Sequence, residues 1–244
     1  MNLFAEAIAW LLSPDQYEGA GSLPVRIGEH LFFTFVAVLI AAVIAIPIGY
    51  LIGHTGKGRE LAVGISGAAR ALPSFGLILL LVLLIGVTQK PLAAFIAFVL
   101  LAIPSILAGA YSGLEAIDRR IIDSARAVGM TEWQILWKVE VPLGLPLLIG
   151  GIRSAALQVV ATVTLAAYIG LGGVGLYIIS GLALRQFDQM LGAALVIVAL
   201  ALVLDGLFAL TERLVVPRGV AAGRTSDVRT RSPRARAVAE SSAK

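Results

Sequence analysis

Charged side chains within apolar stretches are the residues of this sequence with the clearest chemical consequence. Arg70, Arg153 and Asp205 each lie within a long run of mostly aliphatic residues. A charge at such a depth in a bilayer is costly and normally faces the protein interior or an aqueous cavity. All three lie at a similar depth, roughly 12–17 Å from one face at about 1.5 Å per residue. We therefore predict that Asp205 neutralises Arg153 or Arg70, either as a structural clamp or beside a transported substrate.

Signatures of enzyme active sites are missing from the sequence. It has no cysteine and two histidines, His30 and His54, which lie far apart. It also lacks the Gly-x-Ser-x-Gly nucleophile motif, the His-Glu-x-x-His zinc motif and the P-loop Gly-Lys-Ser/Thr motif. We expect no catalytic residue, no metal site and no cofactor on this chain, and we interpret both histidines as residues of the membrane interface. Any ATP that powers this protein must bind to another subunit.

A glycine-rich stretch at residues 170–175 satisfies the pattern G-x-G-x-x-G. A dinucleotide site needs this pattern between a strand and a helix of a βαβ unit. Here the pattern follows a long apolar run, so we interpret it as a tight bend whose glycines allow unusual backbone angles. We place Gly172 and Gly173 at the outer mouth of a pathway.

The composition assigns the chain to the membrane proteins. Of its 244 residues, 59% are hydrophobic and 14% are charged, whereas soluble domains carry roughly 25% charged residues. Uncharged apolar runs of about 18 residues or more are typical of transmembrane helices, and these runs do not alternate as barrel strands do. The predicted fold is an all-α, polytopic membrane helix bundle. Its five predicted spans are Leu31–Ile52, Leu61–Val87, Leu92–Tyr111, Val141–Tyr168 and Met190–Leu210.

A proline interrupts the second predicted span. Proline frees a backbone carbonyl, and such breaks within a membrane face protein or a cavity. The residues at Pro73, Ser74 and Phe75, with Pro104 of the third span, are predicted either to line a transport pathway or to mark simple kinks. Small residues four positions apart favour close packing of membrane helices. Two pairs of glycines have this spacing and are assigned to packing within the bundle: Gly49/Gly53 and Gly109/Gly113.

The distribution of basic residues predicts the orientation. Cytoplasmic loops are enriched in Lys and Arg, and here the basic residues concentrate between the third and fourth spans and after the fifth. Residues 1–30 hold four acidic residues and one basic residue. We therefore place the N-terminus outside and the C-terminus inside, which requires an odd number of spans and agrees with five.

Three segments follow from this topology. Residues 1–30 form an external segment with an interfacial amphipathic helix. The apolar side of that helix comprises Phe4, Ile8, Leu11 and Leu12. Residues 31–216 form the membrane domain, with a cytoplasmic helical segment at residues 115–140. Residues 217–244 form a basic tail that we expect to be disordered and to lie near anionic membrane lipid, with no nucleic acid as a partner.

The cytoplasmic segment has the signals of two short helices. Asp118–Val128 has helical composition, and Gly129 suits the left-handed position that follows a helix. Thr131 and Gln134 have the spacing of a capping box, which predicts the start of a second helix. The segment is therefore predicted to form a helix–turn–helix along the cytoplasmic surface.

Small and charged residues share the first of these two helices. The small residues, which let another backbone approach closely, are Ser124, Ala125, Ala127 and Gly129. Charged contacts are offered by Asp118 and Asp123. The residues alone leave two interpretations open, a solvated connector between two spans or a docking surface for another protein.

This segment resembles the EAA loop of ABC importer permeases. Asp123-Ser124-Ala125 is followed by Gly129 and, further on, by VEVPLGLPLLIGGIR. The family pattern is Glu-Ala-Ala, three residues and Gly, so here Asp replaces Glu and Ser replaces the first Ala. In that family the helix is the coupling helix, which sits in a groove of the cytoplasmic ATPase subunit. The resemblance implies ATPase coupling by Asp118, Asp123, Ser124, Ala125, Gly129, Met130 and Thr131.

Further stretches are similar to the permeases of osmoprotectant importers. They are ALPSFGLILLLVLLIG, IPSILAGAYSGLEAID, GIRSAALQVVATVTLAAYIGLGGVGLYIISGL and MLGAALVIVALALVLDGLF. Those importers carry glycine betaine, choline, carnitine or proline betaine. The resemblance implies the fold of a type I ABC importer permease in the cytoplasmic membrane, where a second copy or a paralogue completes the translocation pathway.

The same resemblance implies the other partners. An extracytoplasmic substrate-binding protein delivers the solute, and two ATPase subunits hold ATP and Mg and drive the permease. A quaternary amine is not attracted by arginine, which favours the clamp over the substrate contact for the intramembrane charges. Two alternatives remain: a permease for another solute such as methionine or an amino acid, and a stand-alone secondary transporter.

Overall fold

The computed structural model describes residues 2–215, except for the side chains of Ala69 and Arg70. Within these residues the chain is helical and contains no strand, which confirms the predicted all-α class. The α-helices are α1 (Leu3–Leu12), α2 (Leu23–Thr55), α3 (Arg59–Ala71), α4 (Ser74–Ile85), α5 (Lys90–Glu115), α6 (Arg119–Ala127), α7 (Glu132–Ile135), α8 (Val141–Ala166), α9 (Gly175–Leu184) and α10 (Phe187–Val215). The predicted tail at residues 217–244 lies outside the described residues.

Four helical stretches in the described residues are long and apolar enough to cross a membrane. They are Leu23–Thr55, Val87–Glu115, Glu132–Ile169 and Phe187–Val215. The second predicted span is instead divided into α3 and α4, because Pro73 has no N–H to continue a helix and pushes Leu72 into an extended conformation, with φ −70° and ψ 130°. The count of five spans and their orientation stay predictions.

The first membrane helix begins earlier than predicted. α2 starts at Leu23, not at Leu31, because Ser22 is its N-cap and a proline occupies its first turn. The two charged residues of this extra stretch neutralise one another, since Arg26 donates to Glu29 across 2.9 Å. The predicted span Leu31–Ile52 therefore lies inside a longer helix of 33 residues, and the point along α2 at which the membrane begins stays a prediction.

Glycines let the three central helices meet at backbone distance. A Cβ atom on Gly49 of α2 would lie 2.5 Å from the Cβ of Ala110 of α5. On the other side of α5, a Cβ atom on Gly113 would lie 2.6 Å from the carbonyl oxygen of Gly144 in α8. The contacts confirm that the predicted glycine pairs serve packing, and they place α5 between α2 and α8 at the centre of the bundle.

The N-terminal helix packs against the bundle as well as facing outward. Ala7 of α1 is fully buried, and a Cβ atom on Gly192 of α10 would lie 2.5 Å from the ring of Trp10. Phe4, Ile8 and Leu12 are exposed. The predicted amphipathic helix is therefore confirmed as a helix with an apolar exposed side, while its contact with α10 is a finding of the structure.

Candidate functional site

The segment predicted to be cytoplasmic forms the predicted helix–turn–helix. Asp118 caps α6, since its carboxylate accepts a hydrogen bond of 2.9 Å from the backbone N–H of Arg120. Gly129 ends the first helix with φ +84°, the left-handed region that favours glycine. Thr131 and Gln134 form both hydrogen bonds of the capping box, at 3.3 and 3.0 Å. We call residues 118–140 the elbow.

The inner side of the elbow is a small hydrophobic cluster. Ile122 and Ala125 of α6 pack against Ile135 of α7, and all three are buried. Met130 is partly buried against the same cluster. Ala125 and Met130, both predicted to contact an ATPase, therefore also hold the two helices of the elbow together.

The outer side of the elbow is a surface of small residues. Ser124, Ala127 and Gly129 are exposed, and beside them Val128 is 79% exposed. Asp123 and Thr131 are exposed at the edges of this surface. Small side chains around one exposed aliphatic residue permit close approach by a second protein backbone.

Ionic contacts fix the two helices of the elbow relative to each other. Arg126 of α6 donates two hydrogen bonds to the carboxylate of Glu132 of α7, at 2.8 and 3.1 Å. Asp123 lies 3.5 Å from the guanidinium group. The hydrogen bond from Arg126 to Glu132, together with the charge of that carboxylate, raises the pKa of Arg126 above its ordinary value. The bidentate geometry sets the orientation of α6 relative to α7, at a place where the two side chains are 48% and 55% exposed.

Within the membrane-spanning part, Arg153 pairs with Asp205. The two nitrogens of the guanidinium fork, Nε and Nη2, each lie 2.5 Å from one carboxylate oxygen, which joins α8 to α10. About a third of each side chain is exposed, 35% and 32%. Of the two predicted partners of Asp205, Arg153 is therefore the one that the structure shows in contact with it. The side chain of Arg70 is not among the described parts of the chain.

The two prolines predicted to lie at the pathway have different surroundings. Pro73 separates α3 from α4, and the aromatic ring of Phe75 just after it packs against Tyr168 with ring centroids 5.2 Å apart. Ser74 begins α4. Pro104 is buried inside α5, which continues through it. The role of these residues in transport stays a prediction. Of the two prolines, only Pro73 lies beside an exposed aromatic residue, Tyr168, which is 56% exposed.

One exposed line of residues on α8 mixes side chains of different kinds. Leu147, Ser154 and Ala161 lie seven residues apart and therefore on one side of the helix, and Tyr168 continues the line in the short 3-10 helix Ala167–Ile169 that follows. Large aliphatic residues are exposed on other helices, including Leu39, Val43 and Leu51 of α2, Leu83 and Leu84 of α4, and Leu202 and Leu207 of α10. The two small residues of the line, Ser154 and Ala161, would allow close approach by a second protein.

The glycine-rich stretch forms the predicted tight bend and is attached to α2. Gly170, Gly172 and Gly173 have φ values of +78°, +109° and +76°. The backbone N–H of Gly173 donates to the carboxylate of Glu29 across 2.8 Å. The position of Gly172 favours glycine because its φ of +109° is a conformation that other residues rarely adopt, and a Cβ atom there would also lie 2.7 Å from the same carboxylate.

The interpretation of His30 as an interfacial residue was wrong. Its side chain is fully buried, and its Nε2 lies 3.0 Å from the carbonyl oxygen of Val160 in α8. The neighbouring Thr34 hydroxyl donates to the carbonyl of His30 itself. His30 is thus an internal contact between α2 and α8.

The sequence analysis did not predict the contacts made by three residues of these sites: His54, Glu140 and Tyr168. His54 and Glu140 contact one another although they are 86 positions apart in the chain. No local spacing connects them. The signal that links them is the predicted topology, which puts the end of the first span and the start of the fourth at the same face of the membrane.

The described residues form a polytopic helical membrane bundle with a helix–turn–helix elbow between two of its long helices. The chain belongs to the family of binding-protein-dependent transport system inner membrane components, whose model matches residues 45–218. It is therefore a multi-pass protein of the inner membrane.

Two curated relatives and one solved structure agree with this assignment. The glycine betaine/carnitine/choline transport system permease protein OpuCB of Bacillus subtilis is 33% identical over 82% of this chain and 91% of its own length. The osmoprotectant import permease protein OsmW of Salmonella typhimurium is 34% identical over 83% of this chain and 96% of its own. A chain of the inward-facing MetNI methionine ABC transporter shares the fold, with a TM-score of 0.71 and 24% identity over 80% of this chain and 97% of its own.

Proposed function

We propose that this chain is the permease subunit of an ABC importer for quaternary-amine osmoprotectants such as glycine betaine, carnitine or choline. The observation that carries the proposal is the identity of 33% to OpuCB over most of both chains. The exposed small-residue side of the elbow adds independent support, because it is a surface suited to a close protein contact.

In the proposed mechanism the elbow receives force from the cytoplasm. Two ATPase subunits bind ATP and Mg, close together, and push on the elbows of two permease copies or of this chain and a paralogue. The contact surface on this chain is the exposed group around Val128, with Asp123 and Thr131 at its edges. The buried cluster of Ile122, Ala125 and Ile135 keeps the elbow rigid under this load.

The proposed translocation path runs along the exposed face of α8. That face includes the small residues Ser154 and Ala161 beside Leu147, and Tyr168 with Phe75 presents aromatic rings beside the Pro73 break. Aromatic faces attract quaternary ammonium groups by cation–π interaction. The positive charge of Arg153 does not repel such a substrate because Asp205 neutralises it. This pair therefore acts as a clamp between α8 and α10.

Reconstitution tests this function directly. The chain is combined in liposomes with its cognate ATPase and binding protein, and uptake of labelled glycine betaine, carnitine, choline and methionine is measured with and without ATP. We expect ATP-dependent uptake of a quaternary amine and none by the permease alone. If methionine is the only one of the four solutes taken up, the proposed substrate class is wrong. ATP-independent uptake by the permease without its partners would contradict the importer assignment.

A further inference from the structure

We propose that His54 is a positioning residue that joins the elbow to α2 and carries motion of the elbow into the helix bundle. This proposal rests on the function proposed above, in which an ATPase pushes on the elbow. The imidazole of His54, at the end of α2, stands between two carboxylates of the elbow. Its Nδ1 lies 2.5 Å from Glu140 and its Nε2 lies 3.6 Å from Glu132.

The contact with Glu140 is largely shielded from solvent. Glu140 is only 5% exposed, and a buried carboxylate is costly unless a hydrogen-bonding partner satisfies it. Among the described residues, His54 supplies that partner. The side chain of His54 is 18% exposed, so water competes for this contact less than it does for a fully exposed surface ion pair.

The backbone between the elbow and α8 is irregular at the same place. Leu136–Glu140 form a π-helix, in which the N–H of Val141 donates to the carbonyl of Leu136 five residues earlier. Pro142 accounts for the wide turn, since it has no N–H and its ring displaces the carbonyl four positions before it. The covalent route from the elbow to α8 thus passes through an irregular turn. The contact of Glu132, which precedes this turn, with His54 provides a second route to the bundle through α2.

A continuous chain of contacts leads from α6 to the centre of the bundle. Arg126 of α6 binds Glu132, and Glu132 faces His54. Immediately before His54, Gly53 packs on α5 so closely that a Cβ atom there would lie 2.8 Å from the Cβ of Leu114. Because α2 and α5 meet without a gap, a displacement of the elbow that reaches His54 also moves α5.

The test compares variants in the complete reconstituted importer. His54→Leu and Glu140→Leu remove the contact, and Lys138→Gln is the matched control, an exposed charged residue of the same π-helix outside the contact chain. The readouts are ATPase co-purification, ATP hydrolysis and solute molecules transported per ATP. We expect both contact variants to retain the ATPase while transport per ATP falls roughly 3- to 30-fold, and we expect the control to match the unchanged protein.

The absence of cysteine from the sequence permits a rescue experiment. A protein with His54→Cys and Glu140→Cys should be poorly coupled as free thiols and should recover when a short bifunctional thiol reagent joins the two side chains. Unchanged transport per ATP in assembled His54→Leu overturns the proposal, and so does a cross-linked pair without recovery. If His54→Leu does not fold, the cross-linked double-cysteine protein tests the proposal in its place. Failure of transport by the unchanged complex would instead contradict the proposed function.

Discussion

At the scale of single residues, the ion pair between Arg153 and Asp205 shows what a charge within a membrane requires. Both nitrogens of the guanidinium fork that face Asp205 have a carboxylate partner, so neither charge faces the hydrocarbon alone. The pair connects helices that are distant in sequence, with 52 positions between its members. Removing one partner strands the other charge, which is more damaging than removing both.

We predict that Asp205→Asn lowers the thermal stability of the protein in lipid nanodiscs, with a Tm decrease of about 3 °C or more. The double variant Arg153→Leu with Asp205→Leu is the control and should recover part of that loss, because it leaves no unpaired charge. Thermal unfolding and ATP-dependent uptake are the measurements. A single variant with unchanged Tm and unchanged uptake would show that the pair is not a clamp.

At the scale of elements, close helix contacts set the architecture and capped short helices set the elbow. α5 lies between α2 and α8 because glycines on each side remove the side chains that would separate them. Small residues at such contacts allow the dispersion interactions that hold membrane helices together. In the elbow, by contrast, local hydrogen bonds from Asp118 and Thr131 begin each helix.

Neighbouring glycines of α8 provide a matched test of this packing. A Cβ atom on Gly151 would lie 2.7 Å from the carbonyl oxygen of Ser105, whereas one on Gly150 would meet nothing within 4 Å. We predict that Gly151→Ala lowers the yield of folded protein and its Tm, while Gly150→Ala leaves both unchanged. Size-exclusion profiles and thermal unfolding check the pair. Equal behaviour of the two variants would contradict the role assigned to the α5–α8 contact.

The elbow surface gives a prediction about assembly. Gly129→Trp places a bulky side chain on the exposed face and should abolish association with the ATPase while the permease still inserts in the membrane. Because Gly129 has φ +84°, Gly129→Asn is the appropriate control, since asparagine tolerates the left-handed region. Co-purification with the ATPase measures the result, and a Gly129→Trp protein that assembles normally would exclude this face from the docking surface.

At the scale of the whole molecule, we propose that one chain does not complete a transport path. The exposed line of Leu147, Ser154, Ala161 and Tyr168 has no covering element within the described residues, whereas α2, α4 and α10 expose large aliphatic residues. A second permease chain placed against α8 would enclose the space beside Tyr168. The same assembly would present two elbows to two ATPase subunits on one side of the membrane.

Cysteine labelling tests the orientation and the number of spans. Thr88 lies between α4 and α5, and Lys57 lies between α2 and α3. With five spans and an external N-terminus, Thr88→Cys should react with an impermeant maleimide in intact cells, and Lys57→Cys only after permeabilisation. Reaction of both from the same side would mean that α3 and α4 together do not cross the membrane.

Much of the fold follows from patterns within a few residues of each other. Apolar runs predict the third, fourth and fifth spans to within a few residues, as α5, α8 and α10 show. Gly129 and the capping box predict the elbow correctly for the same reason, since caps act between neighbours in sequence. The predicted first span covers only part of α2, whose first turns carry the paired charges of Arg26 and Glu29.

The sequence by itself determined that this protein is a helical membrane protein with a capped elbow, because hydrophobic length and local capping need no knowledge of distant contacts, and the resemblance to ABC importer permeases indicated its role in transport. Only the tertiary structure decided that Asp205 meets Arg153, that His30 is buried, and that His54 joins the elbow to α2. Such pairings depend on the rotation and depth of each helix in the bundle. Those quantities are set by backbone contacts at glycines many residues away, so no short stretch of sequence contains them.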